Sequence, residues 1–115
     1  MDLIIGGRTE SFNCHVPPKA EQRHTNLVKS LELKLFEKID YDSMNLFVEY
    51  CRNGQMGEID LLAVSDDIFD FYEVKCSDCN KSRKKANEQY LRFMFAFPEV
   101  KTNGYFYAGG KIKRI

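Results

Sequence analysis

The chain has 115 residues, of which 43% are hydrophobic and 30% charged, and its seventeen Lys and Arg balance seventeen Asp and Glu. This composition fits one globular domain with its own core and excludes a disordered chain. No run approaches the ~18 apolar residues of a membrane span. With zero net charge there is no strong global field for nucleic acid, so any such contact must be local.

Residues 1–18 read as an irregular N-terminal arm around Gly6, Gly7 and Pro17-Pro18, with one short edge strand at Leu3–Ile5. Residues 19–115 read as a single domain. The short apolar run at the N-terminus lacks a basic flank, so it makes a poor signal peptide. Cys14, Cys51, Cys76 and Cys79 do not form a secreted disulfide framework. The expectation is a cytoplasmic, intracellular protein with reduced thiols.

From Lys19 to Ile39 the apolar residues Leu27, Val28, Leu31, Leu35 and Ile39 recur at steps of mostly three and four, which predicts an amphipathic helix. Asp40 to Asn45 is a polar turn. Leu46–Cys51 reads as a strand, broken by Asn53-Gly54 and Gly57. Glu58–Val64 and Ile68–Cys76 are two more strands about a turn at Ser65-Asp66-Asp67. A second helix follows from Asn80 to Phe97, with Ala86, Tyr90, Phe93, Met94 and Phe97 as its buried stripe and Pro98 beyond its end. Gly104–Ala108 is an aromatic strand, Gly109-Gly110 a turn and Lys111–Ile115 a short last strand. The order αβββαβ predicts an α/β fold with a central mixed sheet flanked by helices on both faces.

With Asp66-Asp67 as a two-residue hairpin loop, paired positions on the two strands sum to a constant. Ser65 then faces Ile68, Val64 faces Phe69, Leu62 faces Phe71, Asp60 faces Glu73 and Glu58 faces Lys75. All of these except Ser65 and Ile68 point to one face, while Ile59, Leu61, Tyr72 and Val74 point to the other. Directly opposed carboxylates, with Cβ atoms about 5 Å apart, repel unless charge is offset. A shared proton, Lys75 or a divalent cation would offset it, and hard oxygen ligands favour Mg²⁺ or Mn²⁺. The plain alternative is a satisfied ionic cluster.

Gly57-Glu58-Ile59-Asp60-Leu61-Leu62 followed by Phe71-Tyr72-Glu73-Val74-Lys75 resembles the core of the PD-(D/E)xK nuclease superfamily, and in size its small Holliday junction resolvase-like endonucleases. The resemblance spans about residues 19–108, with specific matches in the hairpin alone. It implies a restriction-endonuclease-like fold and metal-dependent hydrolysis of DNA phosphodiesters. Asp60, Glu73 and the Val74 carbonyl would be metal ligands and Lys75 the catalytic lysine. A helix carboxylate is often added, with Glu32 favoured here and Glu21 the alternative. Gln89 matches a glutamine that reaches the site from the second helix. Ile59 replaces the proline of the family motif. A homodimer acting on branched or duplex DNA would suit such a small chain. Rival readings are a single-site nuclease for flaps, breaks or foreign DNA, and a catalytically silent nucleic-acid-binding module of the same fold.

Lys81, Arg83, Lys84 and Lys85 crowd the start of the second helix, against its dipole, where a phosphate backbone would relieve them. Their plain reading is a solvated helix face. Cys76-Ser77-Asp78-Cys79 is a CxxC that would need Cys14, His15 or Cys51 to hold zinc. No second CxxC supports that, and a disulfide or two small buried thiols is the simpler reading. His15 and His24 belong to no motif.

Overall fold

The computed structural model describes residues 2–5, 8–14 and 22–115. His15, Pro17, Pro18 and Glu21 lie outside the described residues. The elements are β1 (Asp2–Ile5), β2 (Arg8–Ser11), β3 (Asn13–Cys14), α1 (Gln22–Lys38), β4 (Ser43–Arg52), β5 (Gln55–Ser65), β6 (Ile68–Val74), α2 (Asn80–Ala96), β7 (Lys101–Ala108) and β8 (Lys111–Arg114). The fold is α/β, built on a mixed sheet.

The main sheet runs in the order β3-β4-β5-β6-β7-β8, and β1 pairs with β2 in a separate two-stranded sheet. Among the described strands only β6 and β7 pair in parallel, with α2 carrying the chain between them. The pairs β4-β5, β5-β6 and β7-β8 are antiparallel across tight turns, and β3 pairs antiparallel with β4 across α1. Described parts of the arm form strands. Leu3–Ile5 lies in a hairpin with β2 rather than on the main sheet. At the arm's far end β3 pairs with β4, and Phe12 is buried in the core.

Each face of the sheet buries one helix. Val28, Leu31 and Leu35 of α1 pack on Phe47, Leu61, Ala63, Tyr72, Val74 and Tyr107. On the other face, Phe93 and Ala96 of α2 and Phe97 at its C-cap pack on Val48, Tyr50, Ile59, Leu62, Val64, Phe69 and Phe71. Phe93 stacks on both Phe69 and Phe71, with ring centroids 6.3 and 5.6 Å apart. Ile39, expected to end the buried stripe of α1, falls past the helix and is exposed.

The expected hairpin register holds from Ser65↔Ile68 to Leu61↔Tyr72. Asp66 takes the turn with φ +52°, a conformation an aspartate tolerates. Beyond Leu61 the expectation fails. The ladder does not continue to Asp60 and Glu73, and Glu58 does not face Lys75. Glu58 pairs with Glu49 of β4, and the Lys75 N–H donates to the Tyr107 carbonyl of β7.

Ile59, expected beside Leu61, belongs to the opposite face with Leu62. The inversion coincides with a local backbone distortion in β4. Between the pairs Leu46↔Leu61 and Val48↔Ile59, which flank Asp60, Phe47 has φ +53°. A bulky residue in that conformation costs about 1–3 kcal/mol and persists where its surroundings hold it. Burial of the Phe47 ring beneath α1 supplies that hold. Asp60 thus stands where the strand changes its facing.

Candidate active site

Asp60 and Glu73 are the only charged residues buried among those described, 5% and 3% exposed. They sit where β5 and β6 part. Val74 keeps its place beside Tyr107 in the β6-β7 ladder, while its N–H donates to Asp60 Oδ2 at 2.8 Å. The side chain thereby takes the place of a backbone acceptor and ends the pairing of the two strands.

His24 enters from α1. Its Nε2 lies 3.2 Å from Asp60 Oδ2 and 3.0 Å from the Val74 carbonyl oxygen. Both neighbours are acceptors, so this nitrogen carries the proton and donates. The Asp60 hydrogen bond is the main cause that raises the His24 pKa above its ordinary value, over an opposing effect of burial. For Asp60 itself, burial pushes upward, but hydrogen bonding from His24, then from the Glu73 carboxyl and from the Val74 N–H, prevails and holds its carboxyl below the usual range.

Glu73 is the uncomfortable member. Burial first, and the Asp60 charge second, push its carboxyl well above the ordinary value against the pull of Lys75. Lys75 Nζ is 3.6 Å from Glu73 Oε1, while Glu73 Oε2 is buried with no hydrogen-bond partner. The Glu73 charge is also felt by the buried Tyr50 on the α2 face, whose phenol is pushed up to about 12, chiefly by burial. One carboxyl is therefore held from α1, and its neighbour faces the α2 side.

Gln89 lies half-buried on α2, its Oε1 shielded from solvent without a partner. Glu32 is placed elsewhere. It lines a groove with Leu33, Phe36, Tyr41, Asp42, Ser43 and Met44, near the Ala63–Val64 end of β5, where Met44 pairs with Ala63 and the Asp42 N–H donates to Val64. The α1 residue that reaches the carboxyl pair is His24. A legible signal existed, since His24, Val28, Leu31 and Leu35 recur at steps of four, three and four, so the histidine extends the buried stripe. Among the described residues, no three His, Cys, Asp or Glu side chains converge as a metal-holding group. The oxygen donors present are the two carboxylates and the Val74 carbonyl.

The basic cluster divides. Arg83 donates to both oxygens of Asp78 at 2.6 and 2.9 Å, and Lys113 reaches the same carboxylate at 2.8 Å. Arg83, with Lys113 a lesser cause, holds Asp78 well below the usual carboxylate range. Lys81, Lys84 and Lys85 are exposed along the first turns of α2, which hold no acidic residue. Cys76 and Cys79 are also exposed, contrary to the expectation of small buried thiols. No described helix is long and apolar enough to cross a membrane.

Comparison with known proteins gives no match to any family model, curated protein or solved structure.

Proposed function

We propose that this chain is a metal-dependent nuclease of restriction-endonuclease-like fold that hydrolyses DNA phosphodiester bonds. One observation carries the reading: a buried carboxyl pair, Asp60 and Glu73, with an unpartnered oxygen and a lysine two residues away. Buried like charges destabilise a fold unless something offsets them, and perturbed carboxyls of this kind cluster at functional sites.

The donor chemistry fits a hard divalent cation, Mg²⁺ or Mn²⁺. Asp60, Glu73 and the Val74 carbonyl would hold it, and the orphaned Glu73 Oε2 is the oxygen with bonding capacity to spare. When bound, such a cation supplies an acidified water and charge neutralisation at the phosphoryl oxygens. Lys75 then orients the attacking water or binds a phosphate oxygen. His24 fixes Asp60 and the Val74 carbonyl in place. Gln89 has a free acceptor oxygen to offer a water, and Lys81, Lys84 and Lys85 offer the phosphate backbone a positive track. The expected homodimer remains part of the proposal, and a monomer by light scattering with and without DNA would refute it.

One observation favours a second reading. The His24 N–H already satisfies Asp60 Oδ2 and the Val74 carbonyl, as would suit a silent nucleic-acid-binding module that needs no cation. Cleavage of labelled four-way junction, flap and linear duplex DNA with Mg²⁺, Mn²⁺ or EDTA separates the two. The nuclease reading expects metal-dependent cutting that falls at least ~10²-fold in Lys75→Ala, the scale of one lost transition-state donor. DNA binding without cutting, unchanged by EDTA and by Lys75→Ala, would establish the module instead.

A further inference from the structure

Between Lys75 and α2 lies a second cluster of nucleophilic side chains, separate from the carboxyl pair. Cys76 and Cys79 are both exposed, and the chain bends at Cys76 and Ser77. Cys79 is the N-cap of α2, with extended backbone (φ −140°, ψ 165°) and no side-chain capping bond. Its sulfur sits at the positive end of a 17-residue helix, where the first-turn N–H groups of Ser82 and Lys81 favour a thiolate. Cys79 Sγ lies 3.3 Å from Ser82 Oγ and 3.9 Å from Ser77 Oγ. Asp78, whose charge would oppose a thiolate, is neutralised by Arg83 and Lys113. Hydrogen bonding from Ser82, with help from Ser77, lowers the Cys79 thiol to about 7. About half of it is then thiolate at neutral pH, the reactive form.

We propose that Cys76 and Cys79 form a redox-modification site in which Cys79 is the attacking thiol, Cys76 the resolving thiol and a peroxide the oxidant. The Cys79 thiolate attacks one peroxide oxygen. An S–O bond forms, the O–O bond breaks, and the departing oxygen leaves as water after taking up a proton. The Cys76 thiolate then attacks the sulfenic sulfur of Cys79, forming S–S, breaking S–O and releasing a second water. Overall, two thiols lose two electrons and two protons, and the peroxide is reduced to two waters. The disulfide closes a small ring directly after Lys75 and fixes the link from the lysine to the basic turns of α2. Nothing in this chemistry depends on the nuclease reading.

Peptide mapping by mass spectrometry on the intact chain tests it, with the exposed Cys51 as internal reference. Iodoacetamide alkylation of Cys79 is expected to reach half its maximal rate near pH 7 rather than in the ordinary thiol range near 8.5. Stoichiometric hydrogen peroxide should link Cys76 to Cys79, with loss of two hydrogens, and leave Cys51 alkylatable. In Cys76→Ser the sulfenic acid should persist on Cys79 and add dimedone. A Cys79 rate midpoint in the ordinary thiol range would overturn the proposal. So would peroxide treatment that leaves Cys76 and Cys79 free or links them to other cysteines.

Discussion

Glu73→Gln should make this protein more stable at neutral pH, at the expense of its activity. Glu73 is buried at 3% exposure beside Asp60, and its carboxyl is pushed well above the ordinary value by burial and by the Asp60 charge. In the unfolded chain the carboxyl ionises from its ordinary value of 4.5, while the folded chain retains the proton to higher pH. Stability therefore falls as pH rises from that value to the folded pKa, and stays reduced above it. Each unit of displacement is about 1.4 kcal/mol, and a poorly satisfied buried polar group costs about 1–3 kcal/mol. Glutamine keeps the shape, never ionises, and can donate to Asp60 as the protonated acid does. A gain of about 1–3 kcal/mol follows, or roughly 4–12 °C in Tm for a chain of this size. Circular-dichroism melts in EDTA at pH 4, 5.5 and 7 measure it. The gain should be near zero at pH 4, where glutamate is protonated in both states, and largest at pH 7. Added Mg²⁺ at a hundredfold its Kd should stabilise the wild type by about 2.7 kcal/mol and the variant far less. Equal or lower stability of the variant at pH 7, or the same gain at pH 4, would refute the reasoning.

The His24 pKa is raised by Asp60, so its stabilisation is complete below 6.5 and fades as pH rises through the folded value. His24→Ala should accordingly lower Tm more at pH 5.5 than at pH 8.5 in paired melts, and a pH-independent loss would point to packing alone. Glu32→Ala, away from the carboxyl pair, should leave metal-dependent cleavage within about threefold of wild type, whereas His24→Ala should reduce it at least tenfold. A Cβ at Gly104 would lie 2.6 Å from Tyr90 Cδ2 and 2.7 Å from Cε2. Since the Tyr90 hydroxyl is tied to Thr102 at 2.9 Å, Gly104→Ala should cost about 1–3 kcal/mol by overpacking, read as a lower urea midpoint with unchanged m.

Patterns that are local in the chain determined most of the architecture. Val28, Leu31 and Leu35 announced α1 at helical spacing, and Phe93 and Phe97 did the same for α2. The two-residue loop Asp66-Asp67 between two largely apolar strands set the hairpin register from Ser65↔Ile68 to Leu61↔Tyr72. Those signals need nothing beyond a residue's neighbours, because side-chain direction repeats with the period of helix or strand. Asp60 and Glu73 stood out in the same way, as carboxylates facing apolar neighbours on the two strands of the hairpin, with Lys75 two residues on.

Other features depended on contacts distant in sequence, and only the tertiary structure decided them. Pairing of Asp60 with Glu73 across a regular ladder was the local expectation. Instead, β6 continues along β7 while Asp60 accepts the Val74 N–H, and the unusual backbone of Phe47, thirteen positions earlier, coincides with the inversion of facing. Which α1 residue reaches the site depends on how the helix lies across the sheet. Its position brings His24 to Asp60 and leaves Glu32 over the Tyr41–Met44 groove. Periodicity names the face of a helix, whereas the point along that face that meets a given strand is set by packing.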